Sequence, residues 1–256
     1  MKYMGSKARF AGEILPIILR GRVNGQWYVE PFAGGMNTIC NVGGNRIAND
    51  INYFLIEMWR EIIGGWIPDL VSRDEYYNVK KFPDKYPAYF VGWVGFNCSY
   101  SGKWFGGFAG SVKTKTGNIR DYQSEAIRNV LKQARKMQGV ILVNKPYYEL
   151  EIPPHSIIYC DPPYEGTTGY AAEFKHDLFW EWARDISEQG HTVYISEYKA
   201  PSDFRCIWQK KAKSSLSANG KSGGSKLSTE KLFVYGNAVP NSKHKIYHQE
   251  LLPIAM

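Results

Sequence analysis

The run Ile157-Ile158-Tyr159-Cys160 ends abruptly in Asp161-Pro162-Pro163-Tyr164. Uninterrupted apolar and aromatic residues, entered from the turn Pro153-Pro154-His155-Ser156, read as a strand buried on both faces, the kind parallel sheets use. Two consecutive prolines fix φ and carry no N–H, so the strand must stop there. Ligands of open α/β sheets bind in the crevice beyond the carboxyl ends of the strands. Asp161 would supply an acceptor there and Tyr164 an aromatic face. Asp-Pro is also ordinary turn chemistry, but this make-up suits a flat ring bearing an amine.

Other runs give the strand a sheet to belong to. Trp27-Tyr28-Val29-Glu30 reads as a first strand that breaks at Pro31-Phe32-Ala33-Gly34-Gly35, followed by a helix from Met36 to about Val42. A strand, a glycine turn and a helix in that order open a mononucleotide-binding unit, whose glycines let a backbone approach its ligand. Neither G-x-G-x-x-G nor G-K-[ST] occurs in it, which speaks against NAD and ATP. Arg46 to Asp50 reads as a second strand ending in an acid placed to hold ribose hydroxyls, or to cap a helix over Ile51 to Ile63. Gly139 to Asn144 reads as a third strand, Phe174 to Glu188 as a helix, and His191 to Ser196 as a further strand. Phe204 to Gln209 and Lys231 to Tyr235 read as a closing β-pair around a basic Ser/Gly-rich loop. At the amino end, Ser6 is placed to cap a helix running to about Arg20, with Pro16 forcing a kink or an early end.

Between Gly65 and Met137 this alternation stops, apart from a helix over Asp121 to Met137. Residues 76–108 hold twelve of the 38 aromatic residues, a density that predicts an inserted subdomain with its own small core. The chain carries a formal charge of +8 and 15% aromatic residues, which points to an anionic partner whose bases can stack, nucleic acid first. Rings and cations interleave through Asn97, Tyr100, Lys103 and Lys113, and basic residues return near Lys213. The four cysteines are far apart and the histidines show no zinc spacing, so the thiols are expected reduced and no metal is expected. No apolar run reaches membrane length and no signal-peptide core is present, so the expected setting is cytoplasmic.

Taken together the motifs resemble the Dam-type (D12 class) DNA adenine-N6 methyltransferases. Tyr3-Met4-Gly5-Ser6-Lys7 is similar to their amino-terminal cofactor motif, with Ser6 in place of a second glycine. Val29 to Gly35 resembles the cofactor loop, Asn49-Asp50-Ile51-Asn52 the ribose motif and Asp161-Pro162-Pro163-Tyr164 the catalytic motif. Ser215 to Gly220, with Asn219, resembles a later segment.

The resemblance implies an α/β fold: a Rossmann-like class I S-adenosylmethionine-dependent methyltransferase sheet with an inserted, mostly helical target-recognition subdomain. It implies a catalytic domain over 1–64 and 138–256, with the insertion at 65–137. S-adenosyl-L-methionine would be held by Tyr3, Lys7, Glu30, Pro31, Phe32, Gly34, Asp50, Tyr147 and Asp161. Asp161, Pro162, Pro163 and Tyr164 would act on an adenine flipped from double-stranded DNA, with Tyr164 stacking on the base. Asn97, Tyr100, Lys103, Lys113, Lys213 and Asn219 would contact DNA. The arginine usual in readers of GATC has no counterpart here, so the site is GATC, a relaxed variant or another sequence. The alternatives are a non-catalytic nucleic-acid-binding relative, or a methylase of RNA adenine or cytosine N4.

Overall fold

The computed structural model describes residues 1–165, 174–213 and 227–236. Nine strands are described: β1 Tyr28–Glu30, β2 Arg46–Asn49, β3 Ser111–Lys113, β4 Ile119–Asp121, β5 Val140–Val143, β6 Ile157–Cys160, β7 Thr192–Glu197, β8 Phe204–Lys213 and β9 Leu227–Tyr235. The described helices are α1 Ala11–Ile18, α2 Tyr53–Ile63, α3 Arg73–Lys81, α4 Ala88–Gly92, α5 Tyr122–Ala134 and α6 His176–Glu188. Seven strands form one sheet in the order β5-β2-β1-β6-β7-β9-β8. It is parallel from β5 to β7, while β9 runs antiparallel to both β7 and β8. This is a Rossmann-like α/β sheet. The strand order reverses between β1 and β6, and such a reversal opens a crevice at the carboxyl ends of the two strands.

The strands form because both of their faces are apolar. Tyr28, Ala48, Ile157, Tyr159, Tyr194 and Leu232 face one buried cluster, shared with Phe10, Ile14 and Trp59. Their neighbours Val29, Ile47, Ile158, Cys160, Val193, Ile195 and Phe233 face the other, against Phe179 and Trp180 of α6. The period-2 alternation thus divides each strand between two cores, as a sheet covered on both faces requires.

Several expectations need correction. Ser6 does not cap α1: its hydroxyl accepts from Ala8 N and from Asn37 Nδ2, and Phe10 occupies the cap position without a side-chain bond. The helix stops at Ile18, the early end that Pro16 foretells. No α-helix follows the glycine turn, only a 3₁₀ turn at Ile39–Asn41, because Gly34 and Met36 take positive φ. The cap of α2 is Asn52, whose Oδ1 accepts from Leu55 N, which leaves Asp50 to other work.

The segment 65–137 is mostly helical, with one β3–β4 hairpin. Its rings do not form a separate core: Tyr76, Trp93 and Phe96 belong to the same buried cluster as Tyr28 and Trp59. Asp121 caps α5 by accepting from Gln123 N and Ser124 N. Gln133 of α5 then donates to the carbonyls of Gly35 and Met36, so this helix is seated on the glycine turn itself.

Candidate active site

The crevice is built from loops that leave β1, β2 and β6, and one buried side chain fastens the first two. Asn49 Nδ2 donates to the carbonyls of Pro31 and Lys145, both at 2.9 Å, and its Oδ1 accepts from Lys145 N. Asn49 therefore ties the ends of β1, β2 and β5 together. Beside it Asp50 Oδ2 accepts from Gly34 N at 2.8 Å and Oδ1 from Asn52 N at 2.9 Å. Burial pushes the Asp50 carboxyl up, while the two backbone N–H groups favour its charged form. The acid placed by sequence for a ribose does stand at the turn, held rigid by main chain.

The glycines serve a neighbour as well as a backbone approach. A Cβ on Gly34 would lie 2.8 Å from Tyr3 Cε1, and one on Gly35 would lie 2.6 Å from Tyr3 Cβ. Gly34 also has φ of +49°, the left-handed region that glycine enters without cost. Tyr3 is thus laid directly on the turn, with its ring 5.4 Å from that of Phe96.

Beyond β6, Asp161 keeps a fifth of its side-chain surface exposed, and Lys7 Nζ stands 2.9 Å from its Oδ1. By direction this contact is an ion pair more than a hydrogen bond, and the Tyr164 hydroxyl also acts on the Asp161 carboxyl. The same ammonium lies 3.7 Å from Glu230 Oε2 and 4.4 Å from the centroid of the Tyr164 ring. Tyr164 is buried, donates its hydroxyl to Glu230 Oε2 at 3.0 Å and packs edge-on against Tyr198. This corrects the expectation that its ring offers an open stacking face: Lys7 covers it.

Charge in this cluster is unbalanced toward acid. Burial pushes Asp161 up, Lys7 opposes that and Glu230 adds to it. Burial works against the Lys7 ammonium, yet Asp161 and Glu230 outweigh it and raise Lys7. The Lys7 shift follows from two carboxylates sharing one cation, whereas that of Asp161 follows first from burial. Nearby Glu30 is buried, accepts from Tyr28 Oη at 2.8 Å, and is pushed up to about 8 by burial, with Asp161 adding repulsion. Glu197 at the end of β7 accepts from Glu165 N and Tyr198 N and is pushed up to about 7, again chiefly by burial.

An aromatic wall completes the crevice. Phe32 lies 5.1 Å from Tyr147 and 5.8 Å from Phe174, ring centre to ring centre. Its partners join the second core through Phe179.

The sequence-predicted residues Tyr3, Lys7, Glu30, Pro31, Phe32, Gly34, Asp50, Tyr147 and Asp161 gather around this crevice through the contacts just given. The expected DNA contacts do not share one surface character. Asn97 is buried and its amide donates to Met58 Sδ at 3.2 Å. Tyr100 is exposed and its ring meets Tyr122, Lys103 is exposed, and Lys113 is exposed on the hairpin. Lys213 ends β8, while Asn219, the rest of Ser215 to Gly220 and the basic loop from 214 to 226 lie outside the described residues. Asn49 entered only as part of the ribose motif, and Glu197 and Glu230 were not anticipated. Glu197 ends an apolar strand as Asp161 does, a signal that was available; Glu230 sits inside a polar strand, and nothing local marks it.

Among the described residues no group of three or more histidine, cysteine or acidic side chains is placed to hold a metal ion, and no helix is long and apolar enough to cross a membrane.

Residues 3–92 match the family model of the D12 class N6 adenine-specific DNA methyltransferases. No curated protein sequence matches the chain. Among solved structures, a candidate methyltransferase, yhhF, of Escherichia coli is 10% identical at a TM-score of 0.36, covering 89% of this chain and 85% of that one. The tRNA (m1A58) methyltransferase TrmI of Aquifex aeolicus is 8% identical at 0.36, covering 88% and 68%. SMU.472, a candidate methyltransferase complexed with SAH, is 12% identical at 0.33, covering 91% and 55%. The matched segment, about a third of the chain, holds Tyr3, Lys7, the β1 turn and Asp50.

Proposed function

We propose that the chain transfers a methyl group from S-adenosyl-L-methionine to the N6 amine of an adenine in double-stranded DNA, at a short sequence. The observation that carries this reading is the Asp161 carboxyl: it stands at the carboxyl end of β6 beside the switch point, with Oδ1 2.9 Å from Lys7 Nζ of the matched amino-terminal segment.

The residues fit the cofactor. Asp50, whose charged form two backbone N–H groups favour, suits a positively charged ligand. The wall of Phe32 and Tyr147 suits a purine, and Asp50 suits vicinal hydroxyls. When bound, the cofactor supplies a methyl group on a sulfonium.

The chain's own part is orientation. An adenine amine is a poor nucleophile because its lone pair is delocalised into the ring. Accepting one N–H at Asp161 and the other at the Pro162 carbonyl favours the pyramidal nitrogen whose lone pair points away from the protein acceptors. The gain comes from placement and from acceptors fixed before reaction, with the proline pair keeping the carbonyl in place. The amine must leave the duplex to reach such a site, since base edges in a helix are shielded. The insertion at 65–137, with exposed Tyr100, Lys103 and Lys113, is where we place target recognition.

The test is sequencing of modified bases in DNA from cells expressing the wild type or Asp161→Ala. Methylated adenine in one short motif, absent in the variant, is the expected result. Unmodified DNA from cells making folded wild-type protein would refute the activity, and N4-methylcytosine would refute the acceptor.

A further inference from the structure

We propose that Glu230 is a positioning residue: it is the second seat of the Lys7 ammonium, which passes from Asp161 to Glu230 when Asp161 takes up the substrate amine. The inference rests on the reading of Asp161 as the amine acceptor.

Three elements distant in sequence meet here. Lys7 comes from the amino-terminal segment, Asp161 and Tyr164 follow β6, and Glu230 projects from β9, the antiparallel strand next to β7. Lys7 Nζ lies 2.9 Å from one carboxylate and 3.7 Å from the other, so a displacement of about 1 Å exchanges them. Tyr164 Oη donates to Glu230 Oε2 at 3.0 Å and holds that seat in place, while the Tyr164 ring supports the ammonium from 4.4 Å.

The exchange answers a conflict in the site. A neutral amine competes with an ammonium for the same carboxylate oxygen, and the charge-assisted contact is the stronger. Lys7 is almost wholly buried and cannot be released to water. A second buried carboxylate lets it withdraw without becoming an unpaired cation. Among the described residues, the other titratable groups facing these side chains are Tyr198 after β7, which acts on Lys7, Glu30 of β1, Cys160 of β6 and Glu197 of β7, which interact with Asp161, and Tyr159 of β6, which interacts with both Asp161 and Glu230.

The test is Glu230→Gln, which keeps an acceptor for Tyr164 but removes the charge. In steady-state methylation of DNA, kcat is expected to fall about tenfold or more, with KM for DNA and cofactor affinity within about twofold of wild type. The carboxyl ¹³C resonance of Asp161, titrated without cofactor or DNA, is expected to move its midpoint to lower pH, because the carboxylate that raises it is gone. Glu230→Asp keeps the charge and should leave that midpoint in place. Wild-type kcat in Glu230→Gln, or an unmoved midpoint, overturns the proposal. If Glu230→Gln does not fold, the wild-type titration decides: Glu230 and Asp161 carboxyl resonances that shift together support the shared ammonium, and two independent titrations overturn it. Should the wild type transfer no methyl group to DNA, the proposed activity fails, while the titration still decides whether Glu230 and Asp161 share Lys7.

Discussion

Asp50 and Asp161 stand at the ends of strands that flank β1 on opposite sides, and they are held in opposite ways. Asp50 receives two main-chain N–H groups, from Gly34 and Asn52, so each oxygen is fixed by a turn that cannot leave. Asp161 is held by side chains, the Lys7 ammonium on its flexible stem and the Tyr164 hydroxyl. Backbone donors suit a carboxylate that must keep one charge and one place. An exchangeable side-chain cation suits one that must give its lone pairs to something else. The same residue type thus serves as a fixture on one side of the crevice and as a working acceptor on the other.

The sharpest way to break this contrast is to remove the charge of Asp161 alone. Asp161→Asn puts an amide where the acceptor stood and leaves Lys7 on Glu230. Methyl transfer should fall by about 10³-fold or more, on the scale of losing an electrostatic partner of the transition state. Cofactor affinity measured by calorimetry should stay within about threefold. A variant with near-wild-type kcat would make Asp161 a fixture like Asp50.

Glu30 lies on β1 between the two acids and tests the field they share. Its folded-state value of about 8 stands above the ordinary 4.5, so the folded protein retains a proton that the unfolded chain releases in between. Stability contributed by that proton is complete below pH 4.5 and is lost as pH rises toward 8. Glu30→Gln should remove this slope and stabilise the fold relative to wild type above pH 8 by on the order of a few kcal/mol, seen as a higher melting temperature. Parallel melting curves for the two proteins from pH 5 to 9 would mean that Glu30 is charged in the fold.

Asp50→Asn asks whether the fixture matters for binding and not for chemistry. The substituted amide can accept from only one of the two N–H groups, leaving an NH₂ against the other. Cofactor affinity should weaken by about tenfold to a hundredfold, the scale of one lost charge-assisted bond, with kcat at saturation little changed. A loss confined to kcat would assign Asp50 to the reaction.

How much of this was legible depends on what set each residue's place. β1, β6 and β7 showed as apolar runs because strands buried on both faces have no polar side to blur them, while β5 at the sheet's edge showed by its run of apolar residues although Ile141 is exposed. Asp50 and Asp161 could be singled out because each ends such a run. The predicted helix after Gly35 failed because Met36 takes φ of 54° and Ser6 and Gln133 reach in from elsewhere to hold the turn. Those partners are 31 and 98 residues away from the groups they bind. Glu230 meets Lys7 only once β9 has inserted beside β7, a pairing that no local pattern of acids and apolar residues encodes.

The smallest expected effect separates the two acids by the turn that only one of them uses. Gly34 donates to Asp50, carries φ of +49° and lies under the Tyr3 ring. Gly34→Ala therefore meets two penalties: a left-handed backbone, worth about 1 kcal/mol, and displacement of the ring. Tyr3→Ala removes the ring and with it the second penalty, so the double variant should be more stable than the two single losses add up to, by about 1 kcal/mol. Because the displaced N–H is Asp50's donor, cofactor affinity should fall in Gly34→Ala. The Asp161 titration should be the same in all three. If Gly34→Ala moves the Asp161 midpoint as well, the two sides of the crevice are one coupled network, and the division between fixture and working acceptor does not hold.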